Sequence, residues 1–174
     1  MDTFFEQIVS IKKGAKEVAL ILLIIAAALI IGAVLMLLSI AQMSLAGIIF
    51  LAIAGIFYGA YRLVALLNVE YEYILTNGEM DIDKITNRSS RKRQITFNLK
   101  DVLRIEKYNF QNPVVVRGAK TEIYCNKNDQ NACFVLLDHK SHGKTLVVFA
   151  PSERMLKGMN GFIPRTIAND FFKN

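Results

Sequence analysis

Catalytic signatures are what this 174-residue sequence lacks. It contains no glycine-rich phosphate loop, no nucleophile elbow, no HExxH pair and no dinucleotide fingerprint, so the common routes to phosphoryl, acyl and hydride transfer have no visible residues. Cysteine is nearly absent. Cys125 and Cys133 are the only two, and two thiols without further ligands make a poor zinc site. Charge is missing from one long stretch: between Val18 and Leu67 the only charged residue is Arg62. No acidic residue or histidine falls there, which removes the usual parts of a proton- or ion-coupled pathway.

What fills that stretch is apolar. Residues 18–39 and 44–67 form two runs separated by the uncharged turn Ile40-Ala41-Gln42-Met43. Each exceeds the roughly 20 residues that a helix needs to cross ~30 Å of hydrocarbon. Residues 18–67 therefore read as a two-helix transmembrane hairpin. A buried hairpin in a soluble core is the rival, but the rest of the chain is too small to cover two helices apolar on every face. A cleaved signal peptide is another rival, since Ser39-Ile40-Ala41 resembles a cleavage site. The run before it is longer than the ~7–15 residues of a signal core, and a second span follows at once.

Lysine and arginine set the orientation. Lys12, Lys13 and Lys16 precede the first run, Arg62 closes the second, and the turn between them has none. The positive-inside rule places both termini in the cytoplasm of a multi-pass cell-membrane protein. The two cysteines then sit in a reducing compartment as free thiols. From Asn68 onward the chain holds 17 Lys+Arg against 12 Asp+Glu, +5 of its net +6. A basic domain tethered near a bilayer is drawn to anionic lipid, while no Arg-rich recognition helix or stacking motif points to nucleic acid.

Residues 1–17 read as an interfacial amphipathic helix. Thr3 and Glu6 have capping-box spacing, and Phe4, Phe5, Ile8, Val9 and Ile11 form an apolar side opposite the lysines. The alternative is a disordered tail running into the first span. Within the hairpin, Ala28 and Gly32 stand four apart, as do Gly55 and Gly59, with Gly47 two turns earlier. Small residues at that spacing let backbones approach in lipid, either inside one hairpin or between copies. Tyr58, Tyr61 and Arg62 suit an aromatic belt with a snorkelling cation.

From residue 68 to 174 the period changes from helix to strand. Val69, Tyr71, Tyr73 and Leu75 alternate with polar neighbours up to Asn77-Gly78, a strong hairpin signal. Further strands follow around Met80–Ile85, 94–98, 102–108, 121–125, 132–138 and 144–150, joined by turns. Ser152 caps a helix carrying Met155, Leu156, Met159 and Phe162, which Gly161 and Pro164 stop. About seven antiparallel strands in a partly open barrel, capped by one C-terminal helix, is the element order of the pleckstrin-homology (PH) fold. The stretch Tyr71–Ile85, the basic Arg91-Lys92-Arg93, residues 95–103 and the closing Ala150–Leu156 are similar to bacterial PH-like membrane proteins. These carry two N-terminal transmembrane helices and form uncharacterised families of Gram-positive bacteria. The resemblance implies a fold and supplies no catalytic residues.

The densest charge cluster is Lys84, Arg88, Arg91, Lys92 and Arg93, around one tight turn. Cations on a loop can converge on a phosphate, which makes this turn a candidate lipid head-group site, against bulk attraction to the leaflet or no role. Asp138, His139 and His142 fall within five residues but surround a turn, where polar residues are ordinary. The sequence implies no metal and no cofactor. Its reading is a non-catalytic protein-binding or scaffolding module at the membrane face. Its partners are the bilayer, other membrane or cytoplasmic proteins, or a second copy of itself; a lipid head-group sensor using residues 88–93 is the alternative.

Overall fold

A computed structural model describes residues 3–127 and 129–172, the side chains of Asp170 and Phe172 excepted. Two compact units divide the chain. One is helical, Lys12–Val69 with Thr86–Arg88; the other is mainly β, comprising Met1–Ile11, Glu70–Ile85 and Ser89–Asn174.

The helical unit is two helices, α1 (Ala15–Ala41) and α2 (Ala46–Leu66), joined through a single 3-10 turn at Met43–Leu45. At ~1.5 Å per residue they are about 40 and 32 Å long. Their most apolar windows have mean hydropathy 3.2 and 2.1. Covered positions on α1 are sparse: Ala28, Gly32 and Ser39 are buried, at spacings that recur every four or seven residues. Nearly everything else is apolar and outward, including Leu23 at 65%, Leu37 at 69%, Ile48 at 70% and Leu51 at 76% exposure. A soluble core helix would be mostly buried, whereas 11% and 0% of these windows are. Exposed apolar surface on that scale marks a contact with lipid or protein.

Among the described residues the β unit holds eight strands in two open sheets. The first is ordered β1-β2-β3-β4, from β1 (Phe4–Ser10), β2 (Val69–Thr76), β3 (Glu79–Thr86) and β4 (Ser90–Asn98). The second runs β5-β7-β8-β6, from β5 (Val102–Lys107), β6 (Lys120–Ile123), β7 (Cys133–His139) and β8 (Gly143–Phe149). Not every pairing is antiparallel: β6 lies parallel to β8. Tyr73, Leu75, Met80, Ile82, Phe97, Val135, Val147 and Phe149 interlock between the sheets. β7 and β8 are buried on both faces, because Phe110, Val114 and Val116 of the preceding loop cover Phe134, Leu136, Leu146 and Val148. That double burial is why both strands read as unbroken apolar runs rather than alternations.

Residues 1–17 are the main correction. Phe4–Ser10 is a strand, not an interfacial helix, paired with β2 in a register from Phe4↔Thr76 to Ser10↔Glu70. The capping box does not form. Thr3 N–H donates to Asn77 Oδ1 at 2.9 Å, and Asn77 N–H returns a bond to Thr3 O at 3.0 Å. Phe5 and Val9 turn to the core while Phe4 and Ile8 stay exposed. Burial thus follows a period of two, and the pairing edge that enforces it lies some seventy residues downstream.

Two helices, not one, close the chain. Ser152 Oγ accepts Met155 N–H at 3.3 Å and caps α3 (Glu153–Asn160), which buries Met155 and Met159 in the core. Pro164 then lends its carbonyl to Ile167 and Ala168 N–H to start α4 (Arg165–Phe172). The Asn77-Gly78 turn has φ of +49° and +90°, as a type I′ hairpin needs. A side chain at Gly78 would also meet the Phe162 ring at 2.7 Å, so glycine is required there twice over.

Candidate functional site

The basic turn joins β3 to β4. Asn87 and Arg88 both adopt left-handed backbone, φ +52° and +54°. Glycine usually takes the second of these positions, so Arg88 carries strain of about 1 kcal/mol. Within the helical unit, Asn87 N–H donates to Asn68 O at 2.9 Å, two residues beyond the end of α2.

Behind the turn the cations meet carboxylates. Arg91 Nη2 pairs with Glu72 Oε1 at 2.8 Å. Arg93 spans two aspartates, Asp81 at 2.7 Å and Asp83 through its Nε, and donates to Thr96 Oγ1 at 3.2 Å. Thr96 in turn donates to Asp81 Oδ1 at 2.6 Å. Burial is one-sided: the Arg91 and Arg93 side chains are 55% and 49% exposed, while Glu72 and Asp83 are 1% and 4% exposed. A buried carboxylate losing its counterion costs several kcal/mol. A lipid phosphate would have to outbid these acids for the same guanidinium groups. Three carboxylates therefore offset two of the five cations, Arg91 and Arg93. Lys84 and Lys92 have no ion pair among the described residues, and Lys92 is exposed.

Glu72 has a second peculiarity. Its Oε2 is buried and finds no hydrogen-bond donor among the described residues. Burial lifts this carboxyl above its ordinary range, the neighbouring Glu6 lifts it further by hydrogen bond and charge, and Arg91 pulls it back. The pKa of Arg93 is raised as well, chiefly by the Asp83 hydrogen bond, which for a cation favours the charged form.

In the sequence the cations of this network stand out and its acids do not. The signal was there in the spacing. Asp81 with Asp83, and Arg91 with Arg93, stand two apart on strands and so share a face, with Glu72 as the fifth member.

The other sequence candidates separate. His139 Nδ1 accepts from Ser141 and His142 N–H at 3.3 and 3.2 Å, which leaves Nε2 to donate to Thr96 O at 2.9 Å. The His142 ring meets that of His139 edge-on, centroids 4.7 Å apart, and faces Glu122 at 3.5 Å, while Asp138 is exposed; no metal-holding group of three forms among the described residues. Cys125 and Cys133 are free and buried; burial pushes the Cys125 thiol up to about 12, with Asp129 adding to it, and raises Cys133 as well. In the helical unit, Ala28 and Gly32 are buried, and a Cβ on Gly32 would sit 3.2 Å from the Phe57 ring. Gly47, Gly55 and Gly59 have nothing within 4 Å of theirs. The close approach of α1 and α2 thus runs through Gly32 and Phe57.

One further concavity belongs to the β unit: a groove of about 540 Å³ along β5, walled by Ile167 and Phe171 of α4. No curated protein and no solved structure matches the sequence. A family model does, over residues 1–169, and its span takes in β1, both apolar helices, the two sheets and α3. The chain belongs to the bacterial PH-like domain family (DUF6106).

Proposed function

We propose that α1 and α2 cross the cell membrane and hold the β unit at its cytoplasmic face, where it binds protein partners without catalysing a reaction. The observation that carries this is the β1–β2 pairing. The helical pair is inserted between two strands that lie side by side, with Ser10 opposite Glu70. Strands on opposite sides of a bilayer cannot share a ladder, so helices that span must cross an even number of times. Both ends of the hairpin, and with them the whole β unit, then lie on one side. Lys12, Lys13, Lys16 and Arg62 flank that side, and no charge lies between Val18 and Tyr61 to oppose it. PH-like domains are typically binding modules, which supports recognition over catalysis.

A second reading is favoured by one contact. The Asn87–Asn68 bond ties the turn to a residue two positions beyond the end of α2, where lipid head groups lie if α2 spans. Lys84, Arg88 and Lys92 then add attraction to an anionic leaflet, about 1 kcal/mol per cation near the surface. Arg91 and Arg93, held by their carboxylates, contribute to the field rather than to a phosphate cradle.

Two experiments test these readings. The full chain is expected to stay in the membrane pellet at alkaline pH and leave it only with detergent. Affinity capture from detergent then returns stoichiometric protein partners, and these persist in a Lys92→Glu variant. A chain that sediments as a soluble protein overturns the first reading. Partners lost with Lys92→Glu, together with binding to anionic but not neutral vesicles, would favour the second.

A further inference from the structure

β5 is an outer strand of the second sheet, so one side of Val102–Lys107 has no ladder partner among the described residues. Along that edge runs the groove walled by Ile167 and Phe171. At its start the register shifts between Val102 and Arg104, and Leu103 is 56% exposed. Arg104 and Glu106 stand two apart on one face, about half exposed, and pair at 2.6 Å. α4 packs beside β5, and another extended backbone is what would continue the ladder at such an edge.

We propose that the strand which completes it is β5 of a second copy, paired antiparallel about a twofold axis at Ile105. In that register Arg104 faces the partner's Glu106, Glu106 faces the partner's Arg104, and Leu103 faces the partner's Lys107. The charge order about Ile105 is self-complementary, as an isologous interface requires. A slip of two residues sets Arg104 against the partner's Arg104, or Glu106 against the partner's Glu106, and like charges directly opposite are destabilising. A slip of one flips every side chain to the other face. The same charges that keep this edge from pairing indiscriminately admit a single register. Ile167 and Phe171 offer the arriving strand an apolar wall. Confinement to one membrane would raise the effective concentration of copies, but the pairing belongs to the β unit and stands without the membrane reading.

The test uses the full chain in detergent, by sedimentation and by capture of untagged copies on tagged ones. Wild type is expected to dimerise. Arg104→Glu and Glu106→Arg each set like charges opposite one another at both ends of the pair, and each weakens self-capture about ten-fold or more. Mixing the two variants restores capture, because the new glutamate of one copy faces the arginine of the other. The double variant Arg104→Glu/Glu106→Arg restores it as well. Unfolding temperatures close to wild type show that the single variants still fold. A wild type that stays monomeric at every concentration overturns the proposal. So do single variants that dimerise normally, or a loss that mixing does not repair. Dimerisation abolished by Gly55→Leu/Gly59→Leu but untouched by Arg104→Glu would place the contact in the helices and also overturn it.

Discussion

Replacing Arg93 with methionine separates a structural cation from a lipid-binding one. Met keeps the apolar stem and removes the guanidinium, leaving Asp83, 4% exposed, with no cation, and Asp81, 18% exposed, with only Thr96. Stripping the partner from a fully buried ion costs about 3–5 kcal/mol. Arg93 itself is 49% exposed, so water screens part of the pair, and the expected loss is about 2–3 kcal/mol. For a β unit of roughly a hundred residues that lowers the unfolding temperature by about 8–24 °C. Adding Asp83→Asn removes the stranded charge and is expected to recover most of it, a coupling that a double-mutant cycle reads directly. Thermal unfolding of the purified chain in detergent, followed by circular dichroism, measures all four corners of the cycle. Should Arg93→Met unfold with wild type while anionic vesicle binding collapses, the guanidinium serves lipid and not the buried aspartates.

Four other outcomes follow from the same geometry. Glu72 has its folded pKa raised by burial and by Glu6, so the native state holds its proton more tightly than the unfolded chain. Its contribution is therefore present below the ordinary carboxylate value of about 4.5 and falls as pH rises through the raised one; Glu72→Gln should flatten a pH-dependent unfolding curve in that window. Arg88→Gly relieves left-handed backbone at φ +54° and should stabilise by up to about 1 kcal/mol in the same unfolding assay. Gly78→Ala combines positive φ with a contact of 2.7 Å to Phe162, and a loss of about 2–4 kcal/mol is expected. Gly32→Leu, which drives a side chain into Phe57, should make α1 and α2 sensitive to protease in detergent, while Gly55→Leu leaves them resistant.

Local signals were legible where a single stretch of chain carried its own reason. The two apolar runs, the Asn77-Gly78 hairpin and the Ser152 cap each state their structure within a few residues. β1 could not be read that way, because the ladder that makes Phe4–Ser10 a strand is supplied by β2 beyond the helical pair. α4 depends on Pro164 both ending one segment and starting another, and its weak local pattern resolves once Ala168 is packed in the core. At the basic turn the sequence shows which cations cluster, but not that Glu72 and Asp83 are buried beneath them. Acids on alternate strand positions ordinarily face water, and only the sheet's three-strand neighbourhood turns them inward.

The side of the membrane on which the two ends of the hairpin lie decides where the β unit works. Cys125 and Cys133 are buried with raised pKa values, so they are poor thiolates at neutral pH and should leave added cysteines as the only reactive sites. A membrane-impermeant maleimide applied to intact cells is then the direct measurement, with cysteine placed at Met43 in the turn between helices or at Ser141 in the β7–β8 turn. Met43→Cys is expected to label from outside and Ser141→Cys only after the membrane is opened. Labelling of Ser141→Cys on intact cells, or of neither site until detergent is added, would contradict a hairpin anchored with its β unit inside.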